Sequence, residues 1–452
     1  MKNWNYTYPR PLLKRDSFLS LNGTWLLNDI EIEIPIVKEF VLDEYALTNS
    51  KLFIYKKEFN LPLEFAKKNQ RLFLHFGPIY QKHKIYLNGN LLSSSNIPNL
   101  DCEIEVTSNI ERKNTIEVLI YKDKDFLGIS KLFSSNVYSA FGIWQSVWLE
   151  AVPEHYIKGI SIENDTNKLV LDIDSDESYF KITIPINKRK KITHEYETNH
   201  IEFDLNEIEN KNIWTTDKPY IYSLFIETNE DKIETHFSIR SQNIVNNCFY
   251  LNGIELIIKG VVDDNTYSNN CYLPIDPLNY YNDLLKIKEL GFNSIYFKNT
   301  IVPQTLYYAC EKMGFLVFQE LDINNIEFLI NTIYEINSNS CIAGFVVKSE
   351  KQINELKNYT NRLLVNSIMN ITKLINTDIK ETDISEEKIE SNTQLFEKNF
   401  IENTNNIYQS KYIGYFVDRI FDNDNCFNGL YKKDRNTCKV DKKRVLKQNC
   451  SL

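Results

Sequence analysis

The stretch Asp276-Pro277-Leu278-Asn279-Tyr280-Tyr281-Asn282-Asp283-Leu284-Leu285-Lys286-Ile287-Lys288-Glu289-Leu290-Gly291-Phe292-Asn293-Ser294-Ile295-Tyr296-Phe297 decides how the second half of the chain folds. Asp276 is an N-cap and Pro277 suits the first helical turn, while Leu278, Tyr281, Leu284, Leu285 and Ile287 fall on one face at helical spacing. Gly291 then ends the helix, and residues 293–297 read as a buried strand. The same unit recurs downstream. A helix over 303–313 ends at Gly314 and leads to a strand at 315–318; a helix at 326–336 precedes a strand at 342–347; a helix after Glu350 precedes a strand at 363–368. Strands at 255–259 and 412–417 bring the count to six. Such βαβα alternation implies a parallel sheet with helices outside it, open or closed. Beyond Asn370 the pattern weakens: 373–390 is polar and acidic, and a helix is expected over 387–401.

Upstream of residue 242 the period is two. Short β-type runs broken by polar turns fill about 20–152, with Asn88-Gly89 placed as a tight hairpin turn after Ile85-Tyr86-Leu87. This is the pattern of an all-β sandwich of jelly-roll type, assigned to residues 1–153. Further runs at 157–162, 168–173, 180–184, 222–227 and 233–239 suggest a smaller, immunoglobulin-like sandwich over 154–241. The basic run Lys188-Arg189-Lys190-Lys191 is expected to be a solvated hairpin turn. Asp172, Asp174 and Asp176 alternate like the start of a calcium loop, yet the glycine and distal glutamate such a loop needs are absent, so they are read as an exposed strand end.

Composition agrees with several cores: the chain has 452 residues, 42% hydrophobic and 13% aromatic. A net charge of -9 argues against nucleic acid or an anionic membrane as partner. No stretch of about 18 apolar residues and no signal-like opening occur, so a cytoplasmic protein is expected. The eight cysteines lack C-x-x-C spacing and read as reduced thiols; neither metal nor cofactor is expected.

Several strings then carry a resemblance. Pro9-Arg10-Pro11-Leu12-Leu13-Lys14-Arg15-Asp16 and Leu21-Asn22-Gly23-Thr24-Trp25 open the chain; Arg71 to Gly77, Ile85 to Gly89 and Gly142-Ile143-Trp144-Gln145-Ser146-Val147-Trp148 follow. Trp214, Pro219-Tyr220, Phe237-Ser238-Ile239-Arg240 and Leu251-Asn252-Gly253 come next, then Lys259-Gly260-Val261-Val262-Asp263, Lys288 to Asn293 and Tyr307 to Glu320, with Asn428-Gly429-Leu430 near the end. In this order the strings resemble the β-galactosidases, β-glucuronidases and β-mannosidases of glycoside hydrolase family 2. The resemblance implies a sugar-binding-like jelly roll, an immunoglobulin-like domain and a (β/α) TIM-type barrel over 242–452, here truncated because eight strands are needed for closure. It implies carbohydrate as partner and allows a homo-oligomer.

A retaining glycosidase needs two carboxyl groups about 5–5.5 Å apart, one as acid/base and one as nucleophile. The resemblance places Glu350 at the acid/base position, within Phe345-Val346-Val347-Lys348-Ser349-Glu350, where Phe345 and Ser349 replace the family's tryptophan and asparagine. In the family that asparagine holds the sugar's 2-hydroxyl, and Ser349 offers one short hydroxyl instead. Glu350 reads equally well as a solvated first-turn glutamate. The Glu-(Phe/Tyr)-Gly turn that carries the family's nucleophile does not occur, so the nucleophile is unknown. Glu381, Asp383 and Glu386 come in the right order, but only 30 residues lie between Glu350 and Glu381, too few for two βα units. Asp263, Tyr296, Gln319 and Glu320 fall at strand ends and are candidates for substrate contact, with helix capping the competing explanation. All six histidines and all five tryptophans precede the barrel region.

These departures favour a relative of retaining β-glycosidases with lost or strongly reduced hydrolase activity, a pseudoenzyme. The alternative is an active intracellular β-glycosidase that uses Glu350 with an unrecognised second carboxylate.

Overall fold

The computed structural model describes residues 7–35, 51–65, 69–80, 82–95, 102–121, 142–246, 248–263, 278–298, 301–321, 325–368, 372–375 and 414–417. The first unit is all antiparallel. A four-stranded sheet (Phe18–Ser20, Val147–Val152, Arg71–Phe76, Cys102–Glu105) faces a six-stranded one (Ile30–Ile34, Gly23–Leu27, Leu52–Asn60, Lys113–Tyr121, Lys82–Leu87, Asn90–Ser95). Alternation drives the packing: in Lys113–Tyr121, Ile116, Val118 and Ile120 are buried while their neighbours are not. They join Trp25, Phe53, Leu74 and Phe76 in one core. Asn88 and Gly89 both take positive φ, 52° and 81°, in the hairpin between Lys82–Leu87 and Asn90–Ser95, as their residue types require.

The second unit pairs a three-stranded sheet (Ile157–Asn164, Lys168–Ser175, His200–Asp204) with a four-stranded one (Lys191–Tyr196, Phe180–Pro185, Tyr222–Glu227, Lys232–Phe237). The basic run does form the exposed turn between Phe180–Pro185 and Lys191–Tyr196. Asp172 is hydrogen-bonded to His200 and Asp176 to Lys158. Two strands, Lys191–Tyr196 and His200–Asp204, were not expected; their mixed Thr, His and Glu content hides the alternation.

The third unit is a parallel sheet of β1 (Ile258–Asp263), β2 (Ser294–Phe297), β3 (Leu316–Leu321), β4 (Ile342–Val347), β5 (Leu363–Val365), β6 (Thr372–Ile375) and β7 (Gly414–Val417), in the order β5-β4-β3-β2-β1-β7-β6. Helices α1 (Leu278–Glu289), α2 (Gln304–Met313), α3 (Ile326–Ile336) and α4 (Glu350–Leu356) lie between successive strands. Among the described residues the sheet has seven strands and is not closed into a barrel. The expected first strand at 255–259 is corrected. Ile254–Glu255 instead pairs antiparallel with Cys248–Leu251, and the parallel strand starts at Ile258. The expected helix at 387–401 lies outside the described residues.

The units are fastened by the motifs that carried the resemblance. Tyr8 to Arg15 run as a strap over the first two: Arg10 and Arg15 reach Glu150 at 2.7 and 3.5 Å, and Arg15 also reaches Asp231 at 2.8 Å. Trp144, fully buried, leaves the first sandwich to enter the core between sheet and helices of the third unit. The Trp214 indole donates to the Glu311 carbonyl at 2.9 Å, and Arg240 donates to the Ile342 carbonyl at 2.9 Å. Gly314 ends α2 at φ 72°; a Cβ there would sit 2.2 Å from the Thr216 carbonyl, so glycine is required by both conformation and space. No helix among the described residues is long and apolar enough to cross a membrane.

Candidate functional site at the strand ends

Because strand side chains alternate, the C-terminal ends of β1 to β4 divide their polar residues between two faces. Val261, Ile295, Phe297, Val317, Phe345 and Val347 pack toward the helices, whereas Val262, Tyr296, Leu316, Phe318 and Val346 belong to a separate inner core with Trp214, Phe249 and Leu251. Candidate residues follow the same rule. Asp263, two residues after Val261, is 4% exposed, and its charge helps burial push the Cys310 thiol well above the usual range. Gln319 is fully buried and accepts a hydrogen bond of 2.6 Å from Tyr307 of α2. Both therefore face the helix layer, apart from Tyr296 and Glu320.

Tyr296 and Glu320 are brought together on the inner face. The phenol donates to Glu320 Oε1 at 2.8 Å across neighbouring strands β2 and β3. Burial first, and then the Glu320 carboxylate, push the Tyr296 hydroxyl well above the usual phenol range, so it remains a proton donor. Glu320 is half-buried.

At the end of β4 the chain turns into α4. Ser349 is its N-cap, with φ -153° and ψ 155°; its hydroxyl accepts from the Gln352 amide at 3.3 Å while Gln352 Oε1 accepts from the Lys348 amide at 2.9 Å. This is a variant of the capping box, with the glutamine reaching one residue further back. Glu350 occupies the first turn and is exposed. Its backbone carbonyl accepts from Asn354, and its carboxylate has no ion pair or hydrogen bond among the described residues.

No family model matches the chain. A β-galactosidase of Staphylococcus xylosus is 23% identical over 314 residues, which cover 64% of this chain and 30% of that protein. A putative β-glucuronidase of Formosa agariphila is 22% identical over 287 residues, covering 59% and 34%. The chain thus spans about a third of the length of these curated relatives. Among solved structures, a β-glucuronidase of Faecalibacterium prausnitzii superposes with a TM-score of 0.73 at 14% identity, covering 99% of both chains. A β-D-glucuronidase of Dictyoglomus thermophilum gives 0.67 at 16%, covering 91% and 83%. The resemblance to glycoside hydrolase family 2 holds. At these identities the likeness to the solved structures is one of fold.

Within that family likeness, the nucleophile candidates Glu381, Asp383 and Glu386 lie outside the described residues. Sequence reasoning missed the partner that fixes Gln319, the buried Tyr307 of α2. It also missed the fully buried Glu311, which receives His236 at 2.7 Å and the Ser340 amide and so ties the second unit to the third. The available signal was a charged residue among the apolar positions of α2, where only a partnered glutamate is tolerated.

Proposed function

We propose that this protein is a carbohydrate-binding relative of retaining β-glycosidases whose hydrolase activity is lost or strongly reduced, built as a jelly roll, an immunoglobulin-like sandwich and a truncated (β/α) barrel. The observation that carries this reading is the use made of Ser349. Where the family presents an asparagine to the sugar, this chain spends its hydroxyl on the Gln352 amide of α4. A short side chain oriented by the cap has one O–H to give where the replaced amide has two donors and an acceptor, so it holds a sugar less strongly at the transition state. Carbohydrate recognition then falls to the inner face, where the half-buried Glu320 offers an acceptor held in place by the buried Tyr296 hydroxyl.

One observation favours the second reading, an active β-glycosidase. Glu320 pairs in register with Val346 on the strand that leads to Glu350, so a second carboxylate stands on the adjacent strand end. A panel of chromogenic β-galactoside, β-glucuronide, β-mannoside and β-glucoside substrates separates the two. Pure, folded protein is expected to show no turnover above background on any of them. Turnover that vanishes in Glu350→Gln would instead establish the active enzyme.

A further inference from the structure

Away from the strand ends, on the outer side of the parallel sheet, a cavity of about 670 Å³ opens between α1, α2, the N-terminal strap and the four-stranded sheet of the second unit. Its size is that of a ligand site and exceeds what bridging waters need. The helices present Tyr281, Thr305, Tyr308 and Lys312; the sheet presents Ser223 and Glu234. Thr305, Tyr308 and Lys312 share one face of α2 at helical spacing. Lys312 Nζ lies 4.1 Å from the centre of the Tyr308 ring, and Glu234 pairs with Lys14 at 2.8 Å, so this wall and rim are held in place. Thr305 Oγ1 is buried with no hydrogen-bond partner among the described residues. A buried hydroxyl in that state costs stability, and a ligand that hydrogen-bonds to it recovers the loss.

We infer that this cleft is a second binding site for a small saccharide, separate from the Tyr296–Glu320 face. The lining offers what a sugar ring requires: the half-buried Tyr281 ring against its C–H face, and hydroxyl, ammonium and carboxylate groups around its hydroxyl edge. Lys14 and Glu234 offset each other and Lys312 leaves one positive charge at the cleft, which admits a neutral or an acidic sugar. The choice of a saccharide rests on the carbohydrate reading above; the location of the site does not.

Saturation-transfer NMR with galactose, glucose, mannose, cellobiose and glucuronic acid tests the inference on the full chain and on three variants. Thr305→Val keeps the shape and removes only an unpartnered hydroxyl, so it folds as the parent does; Tyr281→Ala removes the platform. Both are expected to weaken binding at the cleft about tenfold or more, the effect of one lost ligand hydrogen bond or ring contact, while Glu320→Gln, altered only at the inner face, keeps the cleft's share of the binding. Binding lost in Glu320→Gln and intact in Thr305→Val would overturn the cleft site and leave the carbohydrate reading standing. No transfer from any sugar to any of the four proteins would overturn both.

Discussion

Two tyrosine–glutamate hydrogen bonds sit in different parts of this molecule, and they behave as different objects. In the strap, Tyr8 donates to Glu150 at 2.6 Å, and the same carboxylate receives Arg10, Arg15 and the Trp148 indole. Glu150 is 1% exposed. On the inner face of the parallel sheet, Tyr296 donates to a half-buried Glu320 at 2.8 Å. Burial raises both phenols above their usual range, and the neighbouring carboxylate raises them further. The difference lies in what surrounds the carboxylate. Burial alone would raise Glu150, but Arg10, with His75, Arg15 and the Tyr8 hydrogen bond, overcomes it and holds the group down to about 2. It is a closed joint between the strap and the first two units. Glu320 keeps access to the face where a ligand could meet it.

The largest expected effect breaks the joint. Glu150→Gln leaves two buried guanidinium groups short of their counter-charge and should cost about 3–5 kcal/mol in urea unfolding at neutral pH. The pH dependence follows the same logic. Glu150 is depressed from 4.5 to about 2, so its contribution, about 3 kcal/mol, is complete above 4.5 and is lost as pH falls from there toward 2. Burial, then Arg10, lowers His75 from 6.5 to about 3; it stays neutral in the fold while the unfolded chain takes up a proton, so stability also drains between 6.5 and 3. Wild type should lose stability throughout this acid range, and Glu150→Gln should flatten the lower part. An unchanged acid profile in that variant would remove Glu150 from its assigned place.

A smaller effect sharpens the division between the two sheet faces. Gln319→Leu deprives the buried Tyr307 hydroxyl of its acceptor and should cost about 1–3 kcal/mol by denaturant midpoint, with sugar binding unchanged. Reduced sugar binding without loss of stability would put Gln319 at the site after all. The smallest effect in stability, under about 1 kcal/mol, is expected for Tyr296→Phe, because Glu320 is only half-buried. Its consequence should appear as weaker sugar binding at the inner face, and stability loss without any change in binding would reduce the pair to architecture.

Much of the fold was legible because it rests on local periodicity. The apolar spacing of 326–336 predicts the helix found there, and the glycine after Met313 ends α2 in the left-handed conformation that its type suggests. The parallel sheet starts three residues later than composition suggests, because Ile254 and Glu255 have the composition of a strand and do form one, in a hairpin with Cys248–Leu251. Of the candidate site, the positions were legible and the directions were not. Asp263, Tyr296, Gln319 and Glu320 all stand at strand ends, but one step of register sends a side chain to the opposite face. Thus Glu320 meets Tyr296 while its neighbour Gln319 meets Tyr307.

By itself the sequence determined the two β-rich units, the strand–helix alternation that follows them and the family they resemble, since hydrophobic period, turn residues and collinear motifs are properties of the chain read in order. Only the tertiary structure decided that Arg10, Arg15, Glu150 and Asp231 form one network, that Ser349 is a cap and that a cleft opens beneath Tyr281 and Thr305. Those facts depend on which residues distant in sequence come within a few ångströms. Contact of that kind follows from how whole units pack, and local pattern does not encode it.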